Sequence, residues 1–327
     1  MCQLPTPNSQ HPTPKRPVAL VQHELLPRVS VDVGYNRRVF GTNHFFTDNR
    51  AIGPQDFDLA TITAPNNPNL PNGGGYPVTF VTRNSRSPLG ATDNYYTFAS
   101  DYGDVTTYWH GVDITVNART GNGIAFQGGT STGRGVRDYC EITDALPEIF
   151  VTPLSVLANA QRDACAVTEP WLTTYRSAVT YTIPRIDVLV AGSLRSTPNT
   201  VPSTVNTFVA TNGASQAANY NVTSAILQQS SLGRPLAPGL AFQTVDLTLP
   251  GDVYPDRVNS VDMRVAKVLR FSGTVTTVGF DFCNLFNANT GSAFNQVYDV
   301  VSNGASWLRP TTVLNPRFAR FNLTVNF

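Results

Sequence analysis

Residues 317–327 carry the strictest pattern in the chain. Apolar and polar residues alternate there up to the carboxyl terminus, with the apolar positions at Phe321, Leu323, Val325 and Phe327. Because side chains of a β-strand point alternately to opposite faces, this pattern predicts a strand with one apolar and one polar face. Such a strand packs its apolar face on a core in a soluble sandwich, or turns it towards lipid in an outer-membrane barrel.

Composition narrows the function classes. Charged residues make up 14% of the chain, against about 25% in ordinary soluble proteins. The 23 basic and 22 acidic residues nearly cancel, so nucleic acid is not an expected partner. No stretch approaches the roughly 18 continuous apolar residues that a membrane helix needs. If this chain crosses a membrane, we expect it to cross as strands.

Period-two segments recur along the chain and are expected to pair into hairpins. The predicted hairpins join 18–25 to 29–35, 108–117 to 124–135, 175–183 to 188–194 and 261–265 to 278–282. With the terminal strand they give nine strands. Long irregular stretches rich in Asn, Pro, Gly, Ser and Thr are expected at 41–104, 138–170, 196–258 and 287–315. Short turns that alternate with long loops are typical of outer-membrane barrels.

Four segments resemble the C-terminal barrel portion of TonB-dependent outer-membrane receptors, of the Oar-like kind with an N-terminal carboxypeptidase-regulatory-like domain. They are residues 21–35, 109–119, 256–267 and 280–287, followed by the terminal Phe327. The resemblance implies an all-β fold: about nine strands of an antiparallel transmembrane β-barrel of about 22 strands, with long extracellular loops. It also implies a location in the outer membrane of a Gram-negative bacterium.

The resemblance further implies a receptor and transporter, not an enzyme. Such a protein binds a ligand with its extracellular loops and imports it with the help of TonB. The implied partners are the barrel-assembly machinery, outer-membrane lipid, an N-terminal plug and TonB. In the family the terminal aromatic strand is the assembly signal, a role that falls here on Phe321, Leu323, Val325 and Phe327.

The sequence departs from the family pattern in two ways. It contains neither a plug nor a TonB-contacting segment, and nine strands would close with the first and last parallel. We therefore expect a fragment that pairs with missing N-terminal barrel strands. Residues 1–16 are Pro-rich, lack the apolar core of a signal peptide and are expected to be an unstructured start, with the barrel portion at 17–327.

The candidate site residues belong to the polar phases of the strands and to the loops. A disulfide between Cys140 and Cys165 is expected to staple one external loop. Tyr95, Tyr96 and Trp307 are candidates for ligand contact. Nine charged residues on or near polar phases are expected to line a lumen: Arg37, Arg38, Asp113, Arg119, Arg176, Asp262, Arg264, Asp281 and Arg320.

The residue spacing does not support phosphate binding, metal binding or nucleophilic catalysis. The Gly-rich segment 128–135 lacks the Gly-Lys-Ser/Thr ending of a phosphate loop, and its glycines are expected to let a barrel strand bend. No metal-ligand, cofactor-binding or nucleophile spacing is present. Two alternatives remain open: a soluble or secreted β-sandwich that binds carbohydrate, and a complete small passive porin.

Overall fold

The computed structural model describes residues 18–39, 45–87, 90–151, 159–199, 216–271 and 273–326. The described residues are mostly antiparallel strands, with two short helices, α1 (Cys140–Ala145) and α2 (Ser224–Gln228). Across these ranges, helices long and apolar enough to cross a membrane are not found. In chain order the strands are β1 (Val18–Leu26), β2 (Val29–Val39), β3 (Phe45–Asn49), β4 (Phe57–Thr63), β5 (Pro77–Arg83), β6 (Asn94–Phe98), β7 (Thr106–Arg119), β8 (Ile124–Asp138), β9 (Ala166–Thr168), β10 (Leu172–Ile183), β11 (Val188–Thr197), β12 (Asn219–Thr223), β13 (Phe242–Asp246), β14 (Val258–Phe271), β15 (Thr274–Cys283), β16 (Gly291–Phe294), β17 (Val297–Tyr298), β18 (Pro310–Val313) and β19 (Phe318–Asn326).

One large antiparallel sheet dominates the fold. Its strand order is β1-β2-β7-β8-β10-β11-β14-β15-β19, with short β9 added to β8, and we name the nine strands of this path the main sheet. These are the four predicted hairpins and the predicted terminal strand, in chain order. The sequence expectation of nine consecutive antiparallel strands is therefore confirmed.

The connections of the main sheet differ sharply between its two ends. At one end, two to four residues join the strands of each hairpin, and left-handed Gly123 (φ 92°) and Gly273 (φ 82°) help to make two of these turns. At the other end, long segments join one hairpin to the next, as β2 to β7 or β11 to β14. We call these the short-turn end and the long-loop end.

Strand registers sort the side chains of the main sheet onto two faces. One face, named the polar face, carries Asp32, Asp113, Ser131, Arg176 and their cross-strand neighbours as far as β19. The opposite face, named the apolar face, carries Val33, Ile114, Val179, Val265 and Phe321. The alternation of apolar and polar residues at 317–327 thus extends across the whole sheet.

The apolar face is exposed over much of its area. Ile114 keeps 40% of its surface exposed, Phe280 50% and Phe321 59%. The two clusters of buried apolar side chains in the described residues are drawn from the long connections and not from this face. A sandwich would bury this face under a second sheet, and the described residues do not form such a layer.

The main sheet has two edges within the described residues. There β1 is hydrogen-bonded to β2 alone, and β19 to β15 alone. Because each neighbouring pair is antiparallel, β1 and β19 run in the same direction. Direct closure of these nine strands would need a parallel pair, and the described strands do not close.

The long connections are more ordered than the sequence indicates. They contain four small sheets, β3-β6, β4-β5, β13-β12-β17 and β16-β18, together with α1 and α2. One buried cluster joins the first, third and fourth connections through residues such as Phe80, Leu227 and Trp307. A second joins the first and second connections through residues such as Ile52 and Phe150. We name the described residues of these four connections the loop cap.

Candidate functional site

Eight of the nine charged residues predicted to line a lumen lie on the polar face. Register places Asp113 beside Ser131 and Arg176 beside Gly129, and the same phase continues to Arg320 on β19. These eight are Arg38, Asp113, Arg119, Arg176, Asp262, Arg264, Asp281 and Arg320. Arg37 is the exception, because its register partner is His110 and both belong to the apolar face. The assignment of Arg37 to the polar phase of its strand is therefore wrong.

Three of the predicted residues form one charged network. Arg320 donates to Asp281 at 2.8 Å, and the Nε atom of Arg264 lies 3.6 Å from the other Asp281 oxygen. Asn322 links the same groups, since its amide donates to Asp281 at 2.9 Å and its oxygen accepts from Arg264 at 2.9 Å. Asp281 is only 8% exposed, so these cations compensate a largely buried carboxylate.

The polar face is concave. A cavity of about 1080 Å³ near the short-turn end is lined by residues of β1, β2, β7, β8 and β10, including Glu24 and Arg119. A second, of about 630 Å³, is lined by Asp113 and Arg176, and a third, of about 320 Å³, by Arg264 and Asp281. A cavity that spans five strands requires the sheet to curve around its polar side. Seven of the predicted charged residues thus line the hollow of the sheet: Asp113, Arg119, Arg176, Asp262, Arg264, Asp281 and Arg320.

The predicted assembly signal occupies the edge strand β19. Phe321, Leu323 and Val325 lie on the apolar face with exposures of 59%, 58% and 43%. Phe321 packs edge-on against Phe280 of β15, with ring centroids 5.4 Å apart. Phe327, the fourth residue of this set, lies outside the described residues.

The loop cap contains the predicted disulfide. Cys140 and Cys165 are joined, with Cα atoms 4.9 Å apart, and Cys165 is buried in the second cluster beside Ile142. The bridge ties the start of α1 to the segment that precedes β9. Cys283, on the polar face, is a free thiol.

The loop aromatics have different environments. Tyr96 is 77% exposed and Tyr95 is 49% exposed, with the Arg50 guanidinium 4.8 Å from the Tyr95 ring centroid. Trp307 is only 3% exposed, and its indole N–H donates to the Ala217 carbonyl at 2.8 Å. The expectation that Trp307 contacts ligand is therefore wrong, because it is part of the core of the loop cap.

Gly111 of β7 and Gly133 of β8 make room for Trp109 on the polar face. A Cβ atom at Gly133 would lie 2.1 Å from Cζ2 of Trp109 and 2.8 Å from the His110 carbonyl oxygen. One at Gly111 would lie 2.5 Å from Cη2 of the same ring. The Gly-rich segment thus accommodates a large ring inside the curved sheet, a packing role that goes beyond the predicted bending.

We expect Gly133→Ala to destabilise the main sheet by about 1–3 kcal/mol, because the indole must move against neighbouring backbone. Gly192→Ala is the matched control, since its added Cβ would meet nothing closer than 3.7 Å. Denaturant unfolding followed by tryptophan fluorescence measures the difference. Equal midpoints for the two variants would contradict the packing role of Gly133.

A cluster of basic and aromatic side chains lies on the apolar face at the long-loop end. It contains Arg37, Tyr108, His110, Arg134 and Trp171, and we name it the rim cluster. The described residues contain no group of three or more His, Cys, Asp or Glu side chains that could hold a metal ion.

Comparison with known proteins gives no relative. No protein-family model, no curated protein and no solved structure matches this chain.

Proposed function

We propose that this chain forms part of the wall of an outer-membrane β-barrel of the TonB-dependent receptor type. The observation that carries the proposal is the continuous apolar face of the main sheet, exposed on the side opposite a concave polar face. A bilayer satisfies such a face, because lipid covers apolar side chains while the sheet pairs its own backbone groups.

The two edges of the main sheet support the same proposal. An unpaired strand edge in hydrocarbon leaves backbone groups unsatisfied at several kcal/mol each. We propose that further barrel strands cover β1 and β19, and that a plug occupies the hollow lined by Asp113, Arg176 and Arg264. A passive porin made of these nine strands alone would need to join β1 and β19 in parallel, which single-chain bacterial barrels avoid.

The loop cap supplies the proposed external ligand-binding surface. It lies at the long-loop end, is cross-linked by one disulfide and is held together by two apolar cores. A rigid cap presents exposed side chains such as Tyr95 and Tyr96 with little loss of entropy on binding. We also propose import driven by TonB and assembly by the barrel machinery, and the support for both is the sequence resemblance. The proposed role is transport and not catalysis.

Cysteine labelling tests the membrane wall. Single cysteines replace Val112, Ile114 or Leu323 on the apolar face, and Thr115 or Thr324 on the polar face, in a chain whose Cys2 and Cys283 are serine. We expect a water-soluble maleimide to label the polar-face positions in lipid vesicles and to leave the apolar-face positions unlabelled. The same apolar-face protection in a monodisperse protein without lipid or detergent would contradict the proposal, because it would mean a packed core.

A further inference from the structure

The rim cluster is a row of side chains across neighbouring strands. Register places Arg37 of β2 beside His110 of β7, and His110 beside Arg134 of β8. At the spacing of sheet strands, the backbones of Arg37 and Arg134 are about 10 Å apart. Both guanidinium groups therefore lie in one row on the apolar face, at its long-loop end.

Aromatic rings and hydrogen bonds fix this row. The Arg37 guanidinium lies 4.6 Å from the Tyr108 ring centroid, and that of Arg134 lies 5.1 Å from the Trp171 centroid. Arg134 Nε donates to His110 Nε2 at 3.1 Å, while His110 Nδ1 lies 3.4 Å from the Tyr35 hydroxyl. Since Nε2 accepts, the imidazole proton belongs on Nδ1.

Among the described residues, no carboxylate forms an ion pair with either guanidinium group. In the described part of the chain, the ion pairs of the main sheet join Arg264 and Arg320 to Asp281 and Arg270 to Asp187, and none includes Arg37 or Arg134. The acidic residue nearest in sequence on the same face of β8 is Asp138, which accepts from the backbone N–H of Cys140. Two cations thus face outward beside an exposed apolar surface, held in place but not neutralised.

We propose that the rim cluster binds the phosphate group of an anionic membrane lipid. The inference rests on the proposed function, since it needs the apolar face to meet a bilayer. In that setting the row lies where hydrocarbon gives way to headgroups, and Trp171, 48% exposed, and Tyr35, 40% exposed, are the amphipathic residues of such an interface.

The chemistry of the row favours a phosphate over other interfacial groups. Guanidinium N–H groups pair with phosphate oxygens in a two-pronged geometry, and the aromatic rings restrict each guanidinium before the lipid arrives. A zwitterionic headgroup gains less, because its ammonium group is repelled by the same two cations. The lipid chains would then lie against the neighbouring apolar residues, such as Val33 and Ile114.

The test compares two double variants with the same change in net charge. Arg37→Gln/Arg134→Gln removes the row, whereas Arg38→Gln/Arg195→Gln removes two arginines of the polar face. Wild type and each variant are reconstituted into phosphatidylcholine vesicles, with and without 20 mol% phosphatidic acid. Quenching of tryptophan fluorescence by phosphatidic acid that carries bromine on its acyl chains reports lipid binding, and inorganic phosphate serves as competitor.

We expect wild type and the polar-face double variant to prefer phosphatidic acid, and the rim double variant to lose about 30-fold in affinity, at about 1 kcal/mol per arginine. Equal binding by both double variants would overturn the inference, as would binding of inorganic phosphate as tightly as of the lipid. Failure of wild type to insert into phosphatidylcholine vesicles would instead refute the proposed membrane wall, so the two failures are distinguishable.

Discussion

Replacing Phe80 by alanine should destabilise the loop cap by about 3–5 kcal/mol, the usual cost of deleting a buried phenyl ring. Phe80 is 1% exposed on β5, next to Ala60 of β4 in the register. Its cluster combines the first connection with Leu227 and Val245 of the third and Tyr298 of the fourth. The loss of this ring therefore loosens three connections together.

Hydrogen exchange measures this effect segment by segment. We expect amides of β4, β5, β12 and β13 to exchange faster in Phe80→Ala, whereas amides of β14 and β15 in the main sheet keep their protection. Phe242→Ala is the matched control, because the Phe242 side chain in the same cap is 51% exposed. Faster exchange throughout the main sheet would mean that cap and sheet unfold as one unit, and unchanged exchange in the cap would contradict a shared core.

The main sheet could be predicted from the sequence because its information is local. Each strand is long, alternates with period two and reaches its partner through a short turn, as from Ile183 to Val188. Once a hairpin register is set, all side chains of both strands are assigned to faces. This is why Asp113, Arg264 and Asp281 fall on one face as predicted.

The loop cap could not be predicted in the same way because its contacts are not local. Its strands are short, and they are held by partners far away in sequence: Arg234 donates to Asp58 at 2.7 Å, and the Thr61 N–H donates to Ser231 at 2.9 Å. Uncharged polar residues with scattered apolar ones give no period for such an assembly. The burial of Trp307 depends on this folding between connections, so the sequence indicated an exposed ring.

The arginine in the rim cluster at position 37 was assigned to the wrong face for a different reason. Arginine is polar, and the assignment of Arg37 to a polar phase followed residue type, whereas the register of Tyr35 and Arg37 with β7 puts both on the apolar face. Near the end of a strand the alternation no longer separates the two faces by polarity. In a membrane barrel, interfacial positions accept polar and aromatic side chains on either face. A cation beside aromatic residues at a strand end is the signal that was available.

Raising the pH from about 4.5 to about 7 should destabilise the loop cap through Glu148. This residue is 2% exposed, and burial, followed by the charge of nearby Asp48, raises the pKa of its carboxyl group to about 7. Asp48 accepts a hydrogen bond from the Tyr102 hydroxyl at 2.8 Å. The folded cap thus holds a proton that the unfolded chain, with a carboxyl pKa of about 4.5, releases.

The sign follows from this difference in bound protons. Below about pH 4.5 the carboxyl group is protonated in both the folded and the unfolded state, and the cap is most stable. Its stability falls between about pH 4.5 and about pH 7 and is constant at higher pH. The total loss is about 3 kcal/mol. Asp246, whose pKa burial raises to about 6, adds to the same slope. Hydrogen exchange measures the stability of the cap as a function of pH. The difference between the profiles of wild type and Glu148→Gln gives the contribution of Glu148 to the pH dependence.

Glu148→Gln should therefore match wild type near pH 4.5 and exceed its stability at pH 8, because a neutral amide avoids the cost of a buried charge. Glu141→Gln provides the control, since that side chain is exposed in the same connection and accepts from the Asp104 N–H. Parallel pH profiles for wild type and Glu148→Gln would show that Glu148 keeps an ordinary pKa. Under the proposed receptor function, a cap that loosens as pH rises would also bind a ligand less tightly above about pH 7, since binding to an ordered surface weakens when that surface must first be ordered.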